Sequence, residues 1–116
     1  MCTILVIDDE KGIVRVIQEA LTRFGHNVEI AFNGIEGIQK FNDGSYDMVI
    51  TDLRMPRLDG KGVVQHIRNS QRNSVPILGI SGTPWHLEKS DFDAILSKPF
   101  SIQPLIDTVK NLTIES

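Results

Sequence analysis

Thr3-Ile4-Leu5-Val6-Ile7-Asp8-Asp9 is the stretch that decides how this chain folds. It is a continuous, largely β-branched apolar run that stops at two carboxylates. Alternating apolar and polar residues would mark a strand with one wet face. Continuous apolarity instead marks a strand covered on both faces, as in a parallel sheet. The flanking sequence agrees. Ile13, Val16, Ile17, Ala20, Leu21 and Phe24 recur at helical spacing, and Gly25 follows as a C-terminal cap.

The same alternation continues to the end of the chain. Val28 to Ala31 reads as a second strand, and Ile35, Ile38 and Phe41 mark a second helix ending near Gly44. Tyr46 to Thr51 reads as a third strand, again closing on a carboxylate, Asp52. After a loop, Leu53 to Asp59, a third helix is defined by Val63, Val64 and Ile67. Pro76 to Ile80 is a fourth strand, followed by Ser81, and Ala94 to Ser97 is a fifth, running into Lys98-Pro99. Between them only Trp85 to Ser90 is left for a helix, so the fourth helix is expected to be shortened or missing. Ile102, Leu105, Ile106, Val109 and Leu112 give a last helix, with Ser101 placed to cap it and Pro104 in its first turn.

Repeated β-α units predict a five-stranded parallel sheet with right-handed crossovers and helices on both faces. A single domain spanning residues 1–116 is expected. In a flavodoxin-like order, 2-1-3-4-5, the first and third strands are neighbours. Ligands of such sheets bind beyond the carboxyl ends of the strands. The residues to read for function are therefore Asp8, Asp9, Asp52, Ser81 and Lys98.

Composition narrows the classes of function. Acidic residues number 15 and basic residues 12, a net charge of −3 that argues against a nucleic-acid surface spread over the whole domain. Cys2 is the sole cysteine, so neither an intrachain disulfide nor a cysteine metal site can form. The apolar run Ile4 to Ile7 is too short to span a bilayer, and no signal-peptide pattern opens the chain, so a cytoplasmic protein without membrane contact is expected. The glycines form no G-x-G-x-x-G pattern, so a nucleotide fingerprint is absent. His26, His66 and His86 lack paired ligand spacing, and His66 falls on the polar side of the third helix. Arg68 and Arg72, near the end of that helix, suit its dipole.

Two readings compete for Asp8 and Asp9. Both could cap the helix that starts near Lys11, since Asp is favoured at such junctions. Alternatively, three carboxylates converging from adjacent strands would repel one another unless a cation intervenes, and hard oxygen ligands suit Mg²⁺. Lys98 and Ser81 at the same rim favour the second reading. Carboxylates, a hydroxyl and an ammonium together make a site for a phosphoryl group carried on an oxygen.

Taken jointly, Asp8-Asp9-Glu10, Tyr46 to Pro56 with Asp59-Gly60, Pro76 to Ser81, and Leu96-Ser97-Lys98-Pro99-Phe100 resemble a response-regulator receiver domain of two-component signalling. The resemblance runs from Thr3 to about Leu112. It implies that Asp52 is the phosphoacceptor, forming an aspartyl phosphate. It implies that Asp9 and Asp52 hold Mg²⁺ directly, with the backbone carbonyl of Arg54, while Asp8 contacts it through water. Ser81 and Lys98 would bind phosphoryl oxygens, and the Lys98–Pro99 bond would be cis. The implied partners are a sensor histidine kinase or phosphotransfer protein and a downstream effector protein, with no direct nucleic acid. Such a domain catalyses its own phosphorylation and dephosphorylation without being a conventional turnover enzyme.

The chain also departs from the family's pattern. The position three residues before the lysine, aromatic in most members, is Ile95. Arg54 and Thr83 occupy two positions that in the family often tune the lifetime of the phosphoryl group, so the resemblance implies a modulating role for both. The surface around the shortened fourth helix is expected to be remodelled, with Trp85 and Phe92 packing there. The alternative function is a receiver-like interaction module that takes no phosphate. A haloacid-dehalogenase-type phosphatase would need Asp where Arg54 stands, and a flavodoxin-type carrier would find Asp8-Asp9-Glu10 repelling its flavin phosphate.

Overall fold

Because side chains along a strand alternate faces, one buried strand must serve two cores. The first strand, β1 (Thr3–Ile7), does so. In the computed structural model, which describes residues 2–53, 60–72, 74–82 and 92–113, it lies inside a parallel sheet. The other strands are β2 (Asn27–Ala31), β3 (Met48–Asp52), β4 (Ile77–Ser81) and β5 (Ala94–Ser97), and the order is β2-β1-β3-β4-β5. The helices are α1 (Lys11–Arg23), α2 (Gly34–Asp43), α3 (Gly60–Arg68) and α4 (Ile102–Thr113). Ile4 and Val6 join Ile17, Leu21, Leu105 and Val109, packing α1 and α4 on one face. Leu5 and Ile7 join Phe41, Val63 and Ile67, packing α2 and α3 on the other. β3 and β4 are buried along their whole length, which accounts for the apolar runs Met48 to Ile50 and Ile77-Leu78, while the polar residues Asp52 and Ser81 close the strands.

Local chemistry sets the helix ends. Asn33 caps α2, its side chain accepting the Glu36 N–H at 2.8 Å. Gly25, at φ +86°, ends α1: its N–H donates to the Thr22 carbonyl while the His26 N–H reaches Leu21. Gly37 lets α2 approach the sheet, since a Cβ there would stand 2.5 Å from Ile7 Cδ1.

Several details differ from the sequence pattern. β3 and β4 run one residue further than expected, so Asp52 and Ser81 close their strands, paired with Ile80 and Ser97. On α1, Val14 is buried, whereas Val16 is 47% exposed and Phe24 60% exposed. Val16 lies about 100° around the helix from Ile17, so both cannot face the sheet. Phe24 has already left helical geometry, at φ −92° and ψ 14°. His66, on the polar side of α3, is half-buried, bonded to Asn42 Oδ1 at 2.8 Å and edge-on to Phe41. Arg72 serves the end of α2 instead of α3: it donates to the Phe41 and Gly44 carbonyls and lies 4.5 Å from the Phe41 ring centroid. Phe92 packs against the α2 and α3 face. The expectations for the fourth helix and Trp85 fall outside the described residues, among which no helix is long and apolar enough to cross a membrane.

Candidate functional site

A parallel sheet brings all its carboxyl ends to one edge, and the ladder fixes how those ends align. Asp8 follows β1, its N–H donating to the Ala31 carbonyl at the end of β2. Asp52 closes β3, and Ser81 closes β4. The Lys98 N–H donates to the Ser81 carbonyl at 2.8 Å, which ties the lysine to that edge, and the Lys98–Pro99 peptide is cis. Asp8, Asp52 and Ser81 are buried, while Asp9 and Glu10 are exposed.

The charges are unevenly matched. Asp8, Asp9, Glu10 and Asp52 each offer a carboxylate oxygen, and these oxygens lie within 4.8 Å of one another. Lys98 Nζ stands among them, 2.8 Å from Glu10 Oε1, 3.1 Å from Asp52 Oδ2 and 3.5 Å from Asp8 Oδ2. Burial disfavours the ammonium, yet its hydrogen bonds to Glu10 and Asp52 and the field of Asp8 and Asp52 outweigh that, and its pKa lies above the ordinary lysine value. Burial pushes the Asp8 carboxyl up to about 6, the Glu10 N–H opposes this, and the Asp52 charge adds to the rise.

Asp8 combines both readings of its position. Oδ1 accepts the Glu10 N–H at 2.9 Å, organising the turn into α1, although Glu10 rather than an aspartate is the capping residue. Oδ2 is buried and accepts no hydrogen bond from the described residues. A buried acceptor without a donor is costly, and a hard cation bound beside it removes that cost. The donor set fits Mg²⁺: carboxylate oxygens only, with exposed Asp9 and Glu10 leaving the site open to water.

Among the residues singled out from sequence, Asp8, Asp9 and Asp52 meet in one cluster and Lys98 contacts two of them. Ser81 stands on the same edge. Ile95 is half-buried in β5, opposite Gly79. Arg54 and Thr83 lie outside the described residues. Glu10 had been assigned no role, and it makes the shortest contact to Lys98; the signal available was a third consecutive carboxylate just before α1.

Residues 4–110 match the family model of the response regulator receiver domain. The probable transcriptional regulator ycf27 of Cyanidium caldarium is 34% identical over 114 residues, covering 94% of this chain and 45% of that protein. The uncharacterized transcriptional regulatory protein YrkP of Bacillus subtilis is 38% identical over 107 residues, 88% of this chain and 45% of that one. The chain thus spans about half the length of these curated relatives. Among solved structures, the response regulator TrrA of Thermotoga maritima in complex with Mg(2+)-BeF is 33% identical with a TM-score of 0.88, covering 97% of this chain and 99% of that chain. The Francisella response regulator 1452 receiver domain is 32% identical with a TM-score of 0.89, covering 97% of each.

Proposed function

This chain belongs to the response regulator receiver domain family of two-component signalling, and from that premise we propose that Asp52 is its phosphoacceptor and that phosphorylation there switches partner binding. The supporting observation is the placement of Lys98 Nζ 3.1 Å from Asp52 Oδ2, beside a buried Asp8 oxygen that has no hydrogen-bond donor among the described residues. The Asp52 carboxylate attacks phosphorus. A P–O bond forms, the bond from phosphorus to the donor breaks, and the leaving group departs with the electron pair and picks up a proton. Lys98 then pairs with a phosphoryl oxygen, and the Ser81 hydroxyl donates to another. Asp8, Asp9 and Asp52 are the residues that would hold Mg²⁺, which when bound supplies positive charge against the phosphoryl oxygens. The TrrA complex with Mg(2+)-BeF is consistent with this chemistry.

The phosphodonor is proposed to be a phosphohistidine on a sensor histidine kinase or phosphotransfer protein. The product replaces one carboxylate charge with about two negative charges, enough to pull on the hydroxyl and ammonium around it. A two-state shift of the outer face would then change affinity for an effector protein.

Intact mass after incubation with Mg²⁺ and acetyl phosphate tests the proposal. Wild type is expected to gain one phosphate and Asp52→Asn none. A wild type that gains nothing would favour a receiver-like interaction module.

A further inference from the structure

Glu10 is the unassigned group of the site. Its Oε1 lies 2.8 Å from Lys98 Nζ, closer than Asp52 at 3.1 Å or Asp8 at 3.5 Å. An ammonium has three N–H donors, and Lys98 gives one to Glu10 and another to Asp52. The Glu10 side chain is 56% exposed and that of Lys98 only 17%. The carboxylate can therefore swing into water, while the lysine stays between its partners.

Given the reading of Asp52 as phosphoacceptor, we propose that Glu10 is a positioning residue that holds Lys98 toward the rim, so that a phosphoryl group on Asp52 must take the ammonium from it. Two effects act in the same direction. A phosphoryl group of nearly two negative charges competes with Glu10 for the Lys98 ammonium. Glu10 is also a like charge in its own right, its oxygen within 4.8 Å of the Asp8, Asp9 and Asp52 oxygens. Glu10 thus lowers the affinity of the site for a phosphoryl group. The opposite sign would hold if Glu10 served chiefly as a ligand for the divalent cation.

Beryllofluoride, a stable phosphoryl mimic, discriminates the two. It is titrated with saturating Mg²⁺ into wild type and Glu10→Gln, followed by fluorine NMR, with a parallel titration of Mg²⁺ alone. Glu10→Gln is expected to bind the mimic about two- to five-fold tighter at low salt, the range of an exposed ion pair. Mg²⁺ alone should bind no tighter to the variant, since the lost carboxylate also attracts the cation, and the difference in mimic binding should narrow as salt rises. Equal or weaker binding of the mimic at saturating Mg²⁺, or a difference indifferent to salt, would overturn the proposal. Failure of wild type itself to bind the mimic would strike the reading of Asp52 instead.

Discussion

The two edges of the sheet use charge in opposite ways. At the amino ends of the strands, side chains close backbone bonds that the sheet leaves open. Asp47 accepts the Thr3 N–H at 2.8 Å, and His26 Nδ1 accepts the Cys2 N–H at 3.2 Å. Asp93 Oδ2 accepts the Ile77 N–H at 2.8 Å and also pairs with Arg68 Nη2 at 2.9 Å, while Arg68 Nη1 donates to the Val75 carbonyl. At the carboxyl ends, Lys98 is shared among Asp8, Glu10 and Asp52, and a buried Asp8 oxygen has no hydrogen-bond donor among the described residues. The amino edge is built for stability. The carboxyl edge holds an unsettled balance of charge that a cation or a phosphoryl group can tip.

The comparison breaks most sharply at Lys98. Lys98→Ala leaves Asp8 and Asp52 without their ammonium, and a loss of about 2–4 kcal/mol is expected in the metal-free protein. Thermal melts should show Mg²⁺ raising the midpoint of this variant more than that of wild type. At the opposite edge, Asp93→Ala strands the N–H of buried Ile77 and should cost about 1–3 kcal/mol in urea unfolding. Phosphate uptake by intact mass should be unchanged there; a variant that lost it would dissolve the division between the edges.

The smallest effect has the opposite sign. The Asp8 pKa of about 6 in the fold lies above the unfolded value near 3.9. Below pH ~4 the group is protonated in both states and costs nothing. As pH rises from ~4 to ~6 the unfolded chain releases this proton first, so stability falls, and above pH ~6 the cost is complete. Asp8→Asn keeps an acceptor for the Glu10 N–H and removes the charge. Without metal it should be more stable than wild type by about 1–2 kcal/mol at pH 8. Chemical denaturation at pH 8 and pH 4 checks this, since the advantage should vanish at the lower value.

Much of this arrangement can be read from residue order. The apolar runs place the strands, and Asp8, Asp52, Ser81 and Lys98 stand at strand ends, where parallel pairing must gather them. Glu10 was harder to see because it lies beyond the strand, where the reach of a flexible side chain decides its partner. Arg72 was misread for a related reason. It follows α3 in sequence, so its service to the end of α2 becomes visible only once the two helices are packed. Val16 and Phe24 look like core residues on an amphipathic helix, and only the packed fold shows them exposed and Val14 buried.

Sequence alone determined the succession of strands and helices, the division of β1 between two cores, and the edge where the carboxylates collect. These follow from side-chain periods of two and 3.6 residues, which are local properties of the chain. Tertiary structure alone decided that Lys98 is shared among three carboxylates and that Asp8 keeps one oxygen without a donor among the described residues. Hydrogen bonds discriminate over a few tenths of an ångström, and Asp8 and Lys98, far apart in the chain, meet within such limits only once every strand between them is in register.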